Sequence, residues 1–290
     1  MTITLAHLGP QGTYAEAAAA ACAAWWYQRG LGNLRLVPYP SIVQTLEAVL
    51  TQEATLAIVP VENSTEGSVT VTLDSLWQLD GLQIRQAWVL PIAHALLSHT
   101  PVEAIETIYS HPQALAQCQR WLEARFPNAA LVPTRSTAEA VQGLDNHAAA
   151  IASRRAATLY RIPVLAEPIN DYPDNCTRFW VVSRPNTPFP QMQPCSHTSL
   201  AFSLPINQPG ALLQPLRIFA DKGINLSRIE SRPTKRSLGE YLFFLDLEAG
   251  SAEENVKHSL NALEDVTETL KLLGSYSILQ AESDSGGMPN

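Results

Sequence analysis

A proline-rich segment in the second half of the sequence restricts what this chain can fold into. Four prolines lie within ten residues, at positions 185, 188, 190 and 194. Because proline lacks a backbone N–H and clashes with the preceding helical turn, such a segment forms neither a helix interior nor a central strand. We therefore predict that residues 185–197 are a linker, with one domain before it and another after it.

The sequence before this linker contains two predicted chain crossings, near residues 80–95 and 165–175, within a region of alternating strand and helix signals. This alternation predicts an α/β fold, and two crossings predict two lobes with a cleft, which is a common kind of ligand site. We predict a first lobe of about residues 1–80 and 166–184, a second lobe of about 81–165, a C-terminal domain of 198–281 and a loose tail of 282–290.

The composition excludes several classes of protein. A hydrophobic content of 46% and a charged content of 16% are those of a globular chain rather than a disordered one. The net charge of −8, without a Lys/Arg-rich run, argues against a nucleic-acid partner. No signal peptide or membrane-length apolar run is present, so we expect a cytoplasmic protein with no membrane partner. The four scattered cysteines have no metal-ligand spacing, and we expect no metal.

A glycine-containing turn connects the first predicted strand, Ile3–Leu8, to an alanine-rich helix. Gly12 permits close backbone approach, and Thr13 is a suitable N-cap for the helix. A strand, such a turn and a helix N-terminus together make an anion site, although a tight structural turn fits the same residues equally well.

Polar side chains follow the next predicted strand. Ser41 is expected to cap a helix over residues 42–50, and Thr55–Val61 is expected to be a buried strand that ends in the polar loop Glu62–Ser68. In open α/β sheets, ligands gather outside the carboxyl ends of strands. The apolar segment Leu82–Leu97 is predicted as one long strand crossing between the lobes.

A second polar group follows the predicted strand Ile105–Tyr109. Ser110 is a suitable N-cap for a helix running to about Phe126, in which Gln117 lies about two turns further along. His111 fits either a structural histidine or a catalytic base. The Ser136–Glu139 spacing is a capping-box pattern that predicts another helix, and residues 148–152 read as a short buried strand.

The third polar group precedes a strong strand signal. Thr177 and Arg178 lie between a turn rich in Asn, Asp and Pro and the apolar run Phe179–Val182. The guanidinium of Arg178 can bind a carboxylate through two parallel hydrogen bonds. Alternatively it serves the fold, by pairing with Asp171 or Asp174.

After the linker, the predicted strands and helices follow a different order from that of the first domain. Strands are predicted at residues 198–204, 224–234, 240–247 and 268–273, and helices up to 222 and at 253–263. The resulting β-α-β-β-α-β order is that of a ferredoxin-like domain.

Six short motifs together resemble one family. In chain order they are Gly9-Pro10-x-Gly12-Thr13-Tyr14, Glu62-Asn63-Ser64, Ser110-His111-Pro112-Gln113, Thr177-Arg178-Phe179, Gly210-Ala211-Leu212-Leu213 and Glu230-Ser231-Arg232-Pro233. The first four resemble the catalytic motifs of the prephenate dehydratase family, and the last two resemble the phenylalanine-binding motifs of its ACT regulatory domain. Ala15 departs from the hydroxyl residue that the family often has there. The chain has no chorismate mutase segment, which indicates a single activity.

The resemblance implies a two-lobed, periplasmic-binding-protein-like (type II) catalytic domain followed by a ferredoxin-like ACT domain. It implies conversion of prephenate to phenylpyruvate with loss of water and carbon dioxide. Aromatisation drives this reaction, so no cofactor is expected. Thr177 would donate a hydrogen bond to the leaving hydroxyl, and Arg178 would bind a carboxylate. The remaining implied catalytic residues are Asn63, Ser110 and Gln117, and the implied substrate-binding residues are Thr13, Ser64 and Phe179.

The resemblance also implies an effector, L-phenylalanine, bound between the subunits of a homodimer or homotetramer. The implied effector-binding residues are Asn207, Gly210, Ala211, Leu212, Glu230 and Ser231. Two other functions fit the same motifs: an arogenate dehydratase that forms phenylalanine directly, and an amino-acid sensor without catalysis. Retention of Thr177 with Arg178 argues against the sensor.

Overall fold

The computed structural model describes residues 3–236 and 239–281. Within these residues it contains sixteen strands and eight α-helices. The strands are β1 (Ile3–Leu8), β2 (Leu34–Tyr39), β3 (Leu56–Asn63), β4 (Gly67–Ser68), β5 (Gln83–Pro91), β6 (Ala95–Leu97), β7 (Thr107–Ser110), β8 (Ala130–Pro133), β9 (Ala148–Ala152), β10 (Val164–Ala166), β11 (Cys176–Ser183), β12 (His197–Ser203), β13 (Leu226–Pro233), β14 (Tyr241–Leu247), β15 (Thr269–Tyr276) and β16 (Ile278–Gln280). The helices are α1 (Tyr14–Gln28), α2 (Ile42–Leu50), α3 (Thr70–Gln78), α4 (Pro112–Gln117), α5 (Gln119–Arg125), α6 (Arg154–Tyr160), α7 (Leu213–Ala220) and α8 (Glu254–Glu264).

The first sheet has the order β16-β5-β11-β3-β1-β2, with β4 paired to β3. Its strands β2 and β3 both run parallel to β1. Parallel strands covered on both faces are expected to be continuously apolar. The prediction for Phe179–Val182 is confirmed, since all four side chains are buried in β11. The predicted Ser41 cap is confirmed too, because its side chain accepts a hydrogen bond from Gln44 N at the start of α2.

The second sheet has five strands in the order β10-β6-β9-β7-β8. β7 runs parallel to both β8 and β9. The alanines and isoleucine of β9 are fully buried, which confirms the predicted strand at 148–152. Small side chains there let α4 and α5 pack closely on the sheet, around Ile108, Ala114 and Leu122.

The third sheet is antiparallel and has the order β13-β14-β12-β15. With α7 and α8 it forms the predicted ferredoxin-like β-α-β-β-α-β unit, which is confirmed. Its core contains Leu200, Phe202, Phe219, Leu245 and Val256. Burial of such large apolar side chains, about 1.5–3 kcal/mol each, holds the two helices on one face of the sheet.

Three predicted elements differ from the structure. The expected strand Leu82–Leu97 is two strands, β5 and β6, which belong to different sheets. The expected helix to Phe126 is broken at Cys118 into α4 and α5. The Ser136–Glu139 pattern begins only a short 3-10 helix over Glu139–Val141, although the Ser136 hydroxyl does accept from Glu139 N.

The described residues form two compact units. One consists of residues 3–69, 88–179, 280 and 281, and the other of residues 70–87, 180–236 and 239–279. The domain limits predicted from the sequence stay predictions, and the expected tail at 282–290 lies outside the described residues. Among the residues that the structure describes, no helix is long and apolar enough to cross a membrane.

Candidate active site

The Thr177 hydroxyl lies where two neighbouring strands of the first sheet are held together. β3 ends at Asn63, β11 begins at Cys176, and the two strands are adjacent. Ser64 fastens the junction: its backbone N donates to Cys176 O (2.9 Å) and its hydroxyl accepts from Cys176 N (3.0 Å). The two predicted polar groups, Glu62–Ser68 and Thr177–Arg178, therefore meet.

Asn63 is the buried hub of this junction. Its Oδ1 accepts from the backbone nitrogens of Thr65 (3.1 Å) and Glu66 (3.2 Å). Its Nδ2 faces the Cys176 carbonyl oxygen (3.1 Å) and lies 2.9 Å from Thr177 Oγ1. Because backbone groups are unambiguous donors and acceptors, they fix which way the amide points. Asn63 therefore donates to the Thr177 oxygen.

Gln117 is the last residue of α4, the helix that packs on the five-stranded sheet. Its side-chain amide reaches this junction. Its Nε2 donates to Thr65 Oγ1 (2.8 Å), and Thr65 Oγ1 donates to Asn63 Oδ1 (2.7 Å). Its Oε1 accepts from Asn175 Nδ2 (2.9 Å). We call Asn63, Thr65, Gln117, Asn175 and Thr177 the amide network. Its members carry no charge, so the pocket can receive an anion without burying a further charge.

His94 and Tyr14 extend the amide network, and the sequence did not indicate this. His94 Nε2 lies 2.9 Å from Gln117 Oε1, and His94 Nδ1 lies 2.9 Å from the Tyr14 hydroxyl. Burial lowers the pKa of His94 and raises the pKa of Tyr14 well above its ordinary value, so both are neutral near pH 7. The only available signal was a histidine within the apolar segment that crosses between the lobes.

Arg178 is engaged by Glu62, not by the acids proposed from the sequence. Arg178 Nη2 donates to Glu62 Oε2 at 2.6 Å, and the arginine side chain is 12% exposed. Asp171 instead accepts from the backbone nitrogens of Arg120 and Trp121, at 2.9 and 3.1 Å. It thereby satisfies free N–H groups in the first turn of α5, which explains why a helix restarts after Cys118.

A cavity of about 510 Å³ opens beside Asn63. This size is typical of a small-molecule site. Its lining residues are Asn63, Glu66, Gly67, Ser68, Val69, His111, Pro112, Gln113 and Ala116. His111 lies here as the N-cap of α4, since its Nδ1 accepts from Gln113 N (3.3 Å).

Three predicted site residues have other contacts. The prediction that Ser110 caps α4 is wrong: its side chain is fully buried and donates to Ile151 O at 2.7 Å. Thr13 is the N-cap of α1, as predicted, and its hydroxyl donates to Pro10 O at 3.0 Å. Phe179 is a core residue of β11, 2% exposed. None of these three joins the amide network within the described residues.

The predicted anion site at the first turn contains a carboxylate of the chain itself. Gly12, at φ +88°, donates its backbone N–H to Glu16 Oε2 (2.6 Å). Arg155 binds the same carboxylate through both oxygens, at 2.9 and 3.0 Å. Burial alone would raise the pKa of Glu16, but Arg155 and Gly12 N–H lower it below its ordinary value. This geometry favours the structural interpretation of the turn.

The expected effector residues lie in the third sheet and in the turn before α7. Asn207 Nδ2 donates to Gly239 O at 2.7 Å, and Gly210 has φ +84°. Ala211 and Leu212 are half-buried just before α7. Glu230 and Ser231 lie on β13. Among the described residues, no cluster of three or more His, Cys, Asp or Glu has metal-binding geometry.

Comparison with known proteins defines the class and then the family. The prephenate dehydratase family model matches residues 5–187, and the ACT domain model matches residues 198–265. The protein thus combines an α/β domain with a ferredoxin-like ACT domain. The chain belongs to the prephenate dehydratase family.

Individual relatives cover nearly the whole chain. A prephenate dehydratase of Lactococcus lactis subsp. cremoris (strain MG1363) is 36% identical over 94% of this chain and 97% of its own. The crystal structure of prephenate dehydratase from Arthrobacter aurescens, in complex with L-Phe, has a TM-score of 0.85 and 37% identity, covering 99% of this chain and 92% of that one. The structure of GqqA, described as a novel type of quorum quenching acylase, has a TM-score of 0.80 and 28% identity, covering 95% and 98%.

Proposed function

We propose that this protein is a prephenate dehydratase, a carbon–oxygen lyase that converts prephenate to phenylpyruvate. The prephenate dianion and one proton give phenylpyruvate, water and carbon dioxide. The C4–O bond and the bond to the ring carboxylate break, and the released electron pair completes the aromatic ring. The observation that best supports this proposal is the hydrogen bond from Asn63 Nδ2 to Thr177 Oγ1 at 2.9 Å.

That hydrogen bond determines what Thr177 can do. Because its oxygen accepts from Asn63, its own hydrogen remains available, and no described residue accepts it within hydrogen-bond distance. Thr177 therefore donates to the leaving hydroxyl and stabilises the charge that develops there. A threonine hydroxyl is too weak an acid to give up its proton, so it acts as a hydrogen-bond donor. Arg178 binds one of the two substrate carboxylates in competition with Glu62.

The same geometry disfavours acyl transfer, the activity described for GqqA. A hydroxyl nucleophile needs an adjacent base that removes its proton. The Thr177 oxygen instead faces an amide N–H donor, which opposes nucleophilic attack. We therefore propose dehydration and not acyl transfer for this chain.

The test offers prephenate and arogenate separately to the purified full chain. Phenylpyruvate formed from prephenate, at a rate that falls in Thr177→Ala, is the expected result. Phenylalanine formed from arogenate at a higher kcat/KM would assign the arogenate reaction instead. No turnover of either compound would overturn the proposal.

We also propose that L-phenylalanine regulates the enzyme from the ACT domain. β13 and β15 are the edges of the four-stranded sheet. Exposed edges favour pairing with a second copy, which places a ligand site at the joint of a homodimer or homotetramer. The L-Phe bound by the Arthrobacter aurescens relative supports this effector. We further propose that the enzyme is cytoplasmic.

Contacts of β13 offer a route for this regulation. Arg232 follows Glu230 and Ser231 on β13 and binds Asp74 of α3 through both carboxylate oxygens, each at 3.1 Å. α3 starts at Thr70, immediately after the segment that carries Ser64 and Thr65. We infer that a change on β13 reaches residues 66–69, which line the cavity, through Asp74 and the start of α3.

Activity assays on the full chain with and without L-phenylalanine test this proposal. Gly210→Val is the informative variant, because φ +84° strains any β-branched residue although a Cβ there contacts nothing within 4 Å. We expect unchanged activity and lost inhibition, with oligomeric state followed by sedimentation. An enzyme indifferent to millimolar phenylalanine would overturn the regulatory proposal and leave the catalytic one standing.

A further inference from the structure

Two residues outside the predicted site, His94 and Tyr14, extend the amide network. His94 is 2% exposed and sits between Gln117 Oε1 and the Tyr14 hydroxyl, 2.9 Å from each. The Tyr14 hydroxyl also lies 2.7 Å from Ala93 O. A buried histidine with a partner on both ring nitrogens has its ring orientation fixed.

The direction of every hydrogen bond in the network follows from the backbone. Asn63 is oriented by backbone groups, so its Nδ2 donates to Asn175 Oδ1 (2.9 Å). Asn175 must then present its Nδ2 to Gln117 Oε1, which makes that oxygen the acceptor. Neutral His94 therefore carries its hydrogen on Nε2 and donates to the same oxygen. Its Nδ1 accepts, and the Tyr14 hydrogen is shared between His94 Nδ1 and Ala93 O.

Gln117 is the member of the network that most needs this support. Within the described part of the chain, its side-chain amide is held by other side chains alone. Without the His94 donor, Asn175 Nδ2 is the remaining described donor that opposes rotation of the amide about its last torsion, which is a broad and nearly two-fold one. Rotation would present oxygen to Thr65, whose hydroxyl would then turn away from Asn63. Asn63, the donor that fixes the Thr177 oxygen, would lose the shortest of the hydrogen bonds to its Oδ1 and keep the two from backbone nitrogens.

We propose that His94 and Tyr14 are positioning residues for the dehydration. Acting through Gln117, they keep the amide network in the one arrangement that leaves the Thr177 hydrogen for the substrate. This inference rests on the proposed dehydratase activity. It assigns no proton transfer to His94, because side-chain amides do not relay a proton along such a chain.

Two amide substitutions separate the two sides of the His94 ring. His94→Gln places an N–H near the Nε2 position and keeps the donor to Gln117, whereas His94→Asn keeps a polar group only near Nδ1. We expect His94→Asn to lower kcat about tenfold with KM within about twofold, and His94→Gln to stay within about threefold of the wild type. Melting temperatures are measured in parallel to report changes in packing. If His94 had a purely structural role, the substitutions would lower the melting temperature, but kcat would not fall more in His94→Asn than in His94→Gln.

Two outcomes overturn the inference while the wild type remains active. They are an asparagine variant as active as the glutamine variant, or a loss confined to KM. Tyr14→Phe removes one oxygen and keeps the ring, so it provides a second test of the inference if either amide variant fails to fold. We expect its kcat to fall about threefold, and no further fall when it is combined with His94→Gln. Wild-type kcat in Tyr14→Phe would remove Tyr14 from the proposal. A wild type without turnover would instead overturn the proposed function on which the inference rests.

Discussion

Polar side chains hold two regions of this chain in opposite ways. Beneath Thr177 they are neutral and mostly buried, and each donor is matched to an acceptor. Around α3 they are charged and partly exposed. Asp74 binds Arg232 twice and Lys235 Nζ at 2.7 Å, and Lys271 Nζ caps the other end of α3 by donating to the carbonyl oxygens of Trp77 and Leu79.

The difference lies in how strongly each kind of contact fixes geometry. A buried polar group that loses its partner costs about 1–3 kcal/mol, so a neutral network tolerates only one arrangement. Ion pairs near the surface contribute about 0–1 kcal/mol and weaken with salt. The first kind suits a site that must hold one hydroxyl in place. The second suits a helix that would shift under the proposed regulation.

The largest expected effect comes from removing the hydroxyl that the neutral network holds. Thr177→Ala should lower kcat by about a hundredfold or more with an unchanged melting temperature, since about 2.7 kcal/mol or more of transition-state stabilisation is lost. Thr177→Ser keeps the hydroxyl and should retain part of the activity. An alanine variant within about tenfold of the wild type would contradict the assigned role.

The second prediction reverses one donor inside the network. Asn63→Asp keeps the oxygen that accepts from Thr65 N and Glu66 N, but it turns an acceptor towards Thr177. We expect kcat to fall by about ten- to a hundredfold, because the hydroxyl is then drawn inward. Asn63→Ala is the matched control that removes both functions. If the aspartate variant is the more active of the two, donor direction is unimportant.

The third prediction concerns the charge next to the network. Arg178→Lys keeps the charge but loses the planar fork, and kcat/KM should fall by roughly ten- to a hundredfold. Glu62→Gln, which removes the competing carboxylate, should leave the enzyme active and lower KM. An unchanged kcat/KM in the lysine variant would mean that Arg178 serves the fold through Glu62.

The fourth prediction moves to the charged region. Asp74→Asn should change kcat by less than about twofold, yet raise the phenylalanine concentration for half-inhibition by about fivefold, as the loss of about 1 kcal/mol of coupling requires. Asp80→Asn is the control, because Asp80 pairs with Lys271 on β15 rather than with β13. Equal shifts in both variants would show that the route does not run through Arg232.

The smallest expected effect is a pH dependence of stability. Burial lowers the pKa of His94 from 6.5, so the unfolded chain binds more protons as the pH falls through 6.5. The free energy of unfolding should therefore decrease below that pH. His94→Gln should show a shallower decrease in urea unfolding at several pH values, with the remainder due to His7 and His111, whose pKa values burial also lowers. Identical slopes would contradict a buried, neutral His94.

Local signals predicted the elements that local interactions stabilise. β1, α2 and β9 have their predicted bounds, because a run of buried apolar residues or a serine N-cap is visible in a few consecutive residues. Resemblance named Asn63, Gln117 and Thr177 as site residues, and the structure places the three in one network. Their catalytic roles stay predictions.

The missed features depend on residues far apart in the sequence. α5 restarts after Cys118 because Asp171, about fifty positions later, satisfies its first N–H groups. His94 was overlooked because its partner Tyr14 lies 80 positions earlier and no short motif contains both. Ser110 was predicted as an N-cap because it lies just before Pro112, but its hydroxyl donates a hydrogen bond to the carbonyl oxygen of Ile151 in β9 instead.

The last described strand has a consequence for anyone who wishes to shorten this protein. β16 follows the ACT domain in sequence but pairs with β5 at the edge of the first sheet, where Ala87 N donates to Ser277 O and Ala281 N donates to Val89 O. A truncation at the proline-rich segment would therefore delete a strand of the first sheet together with the ACT domain. The uncovered β5 backbone would attract other copies and promote aggregation. A catalytic fragment that stays monodisperse needs residues 277–281 reattached, or a charged side chain placed on β5.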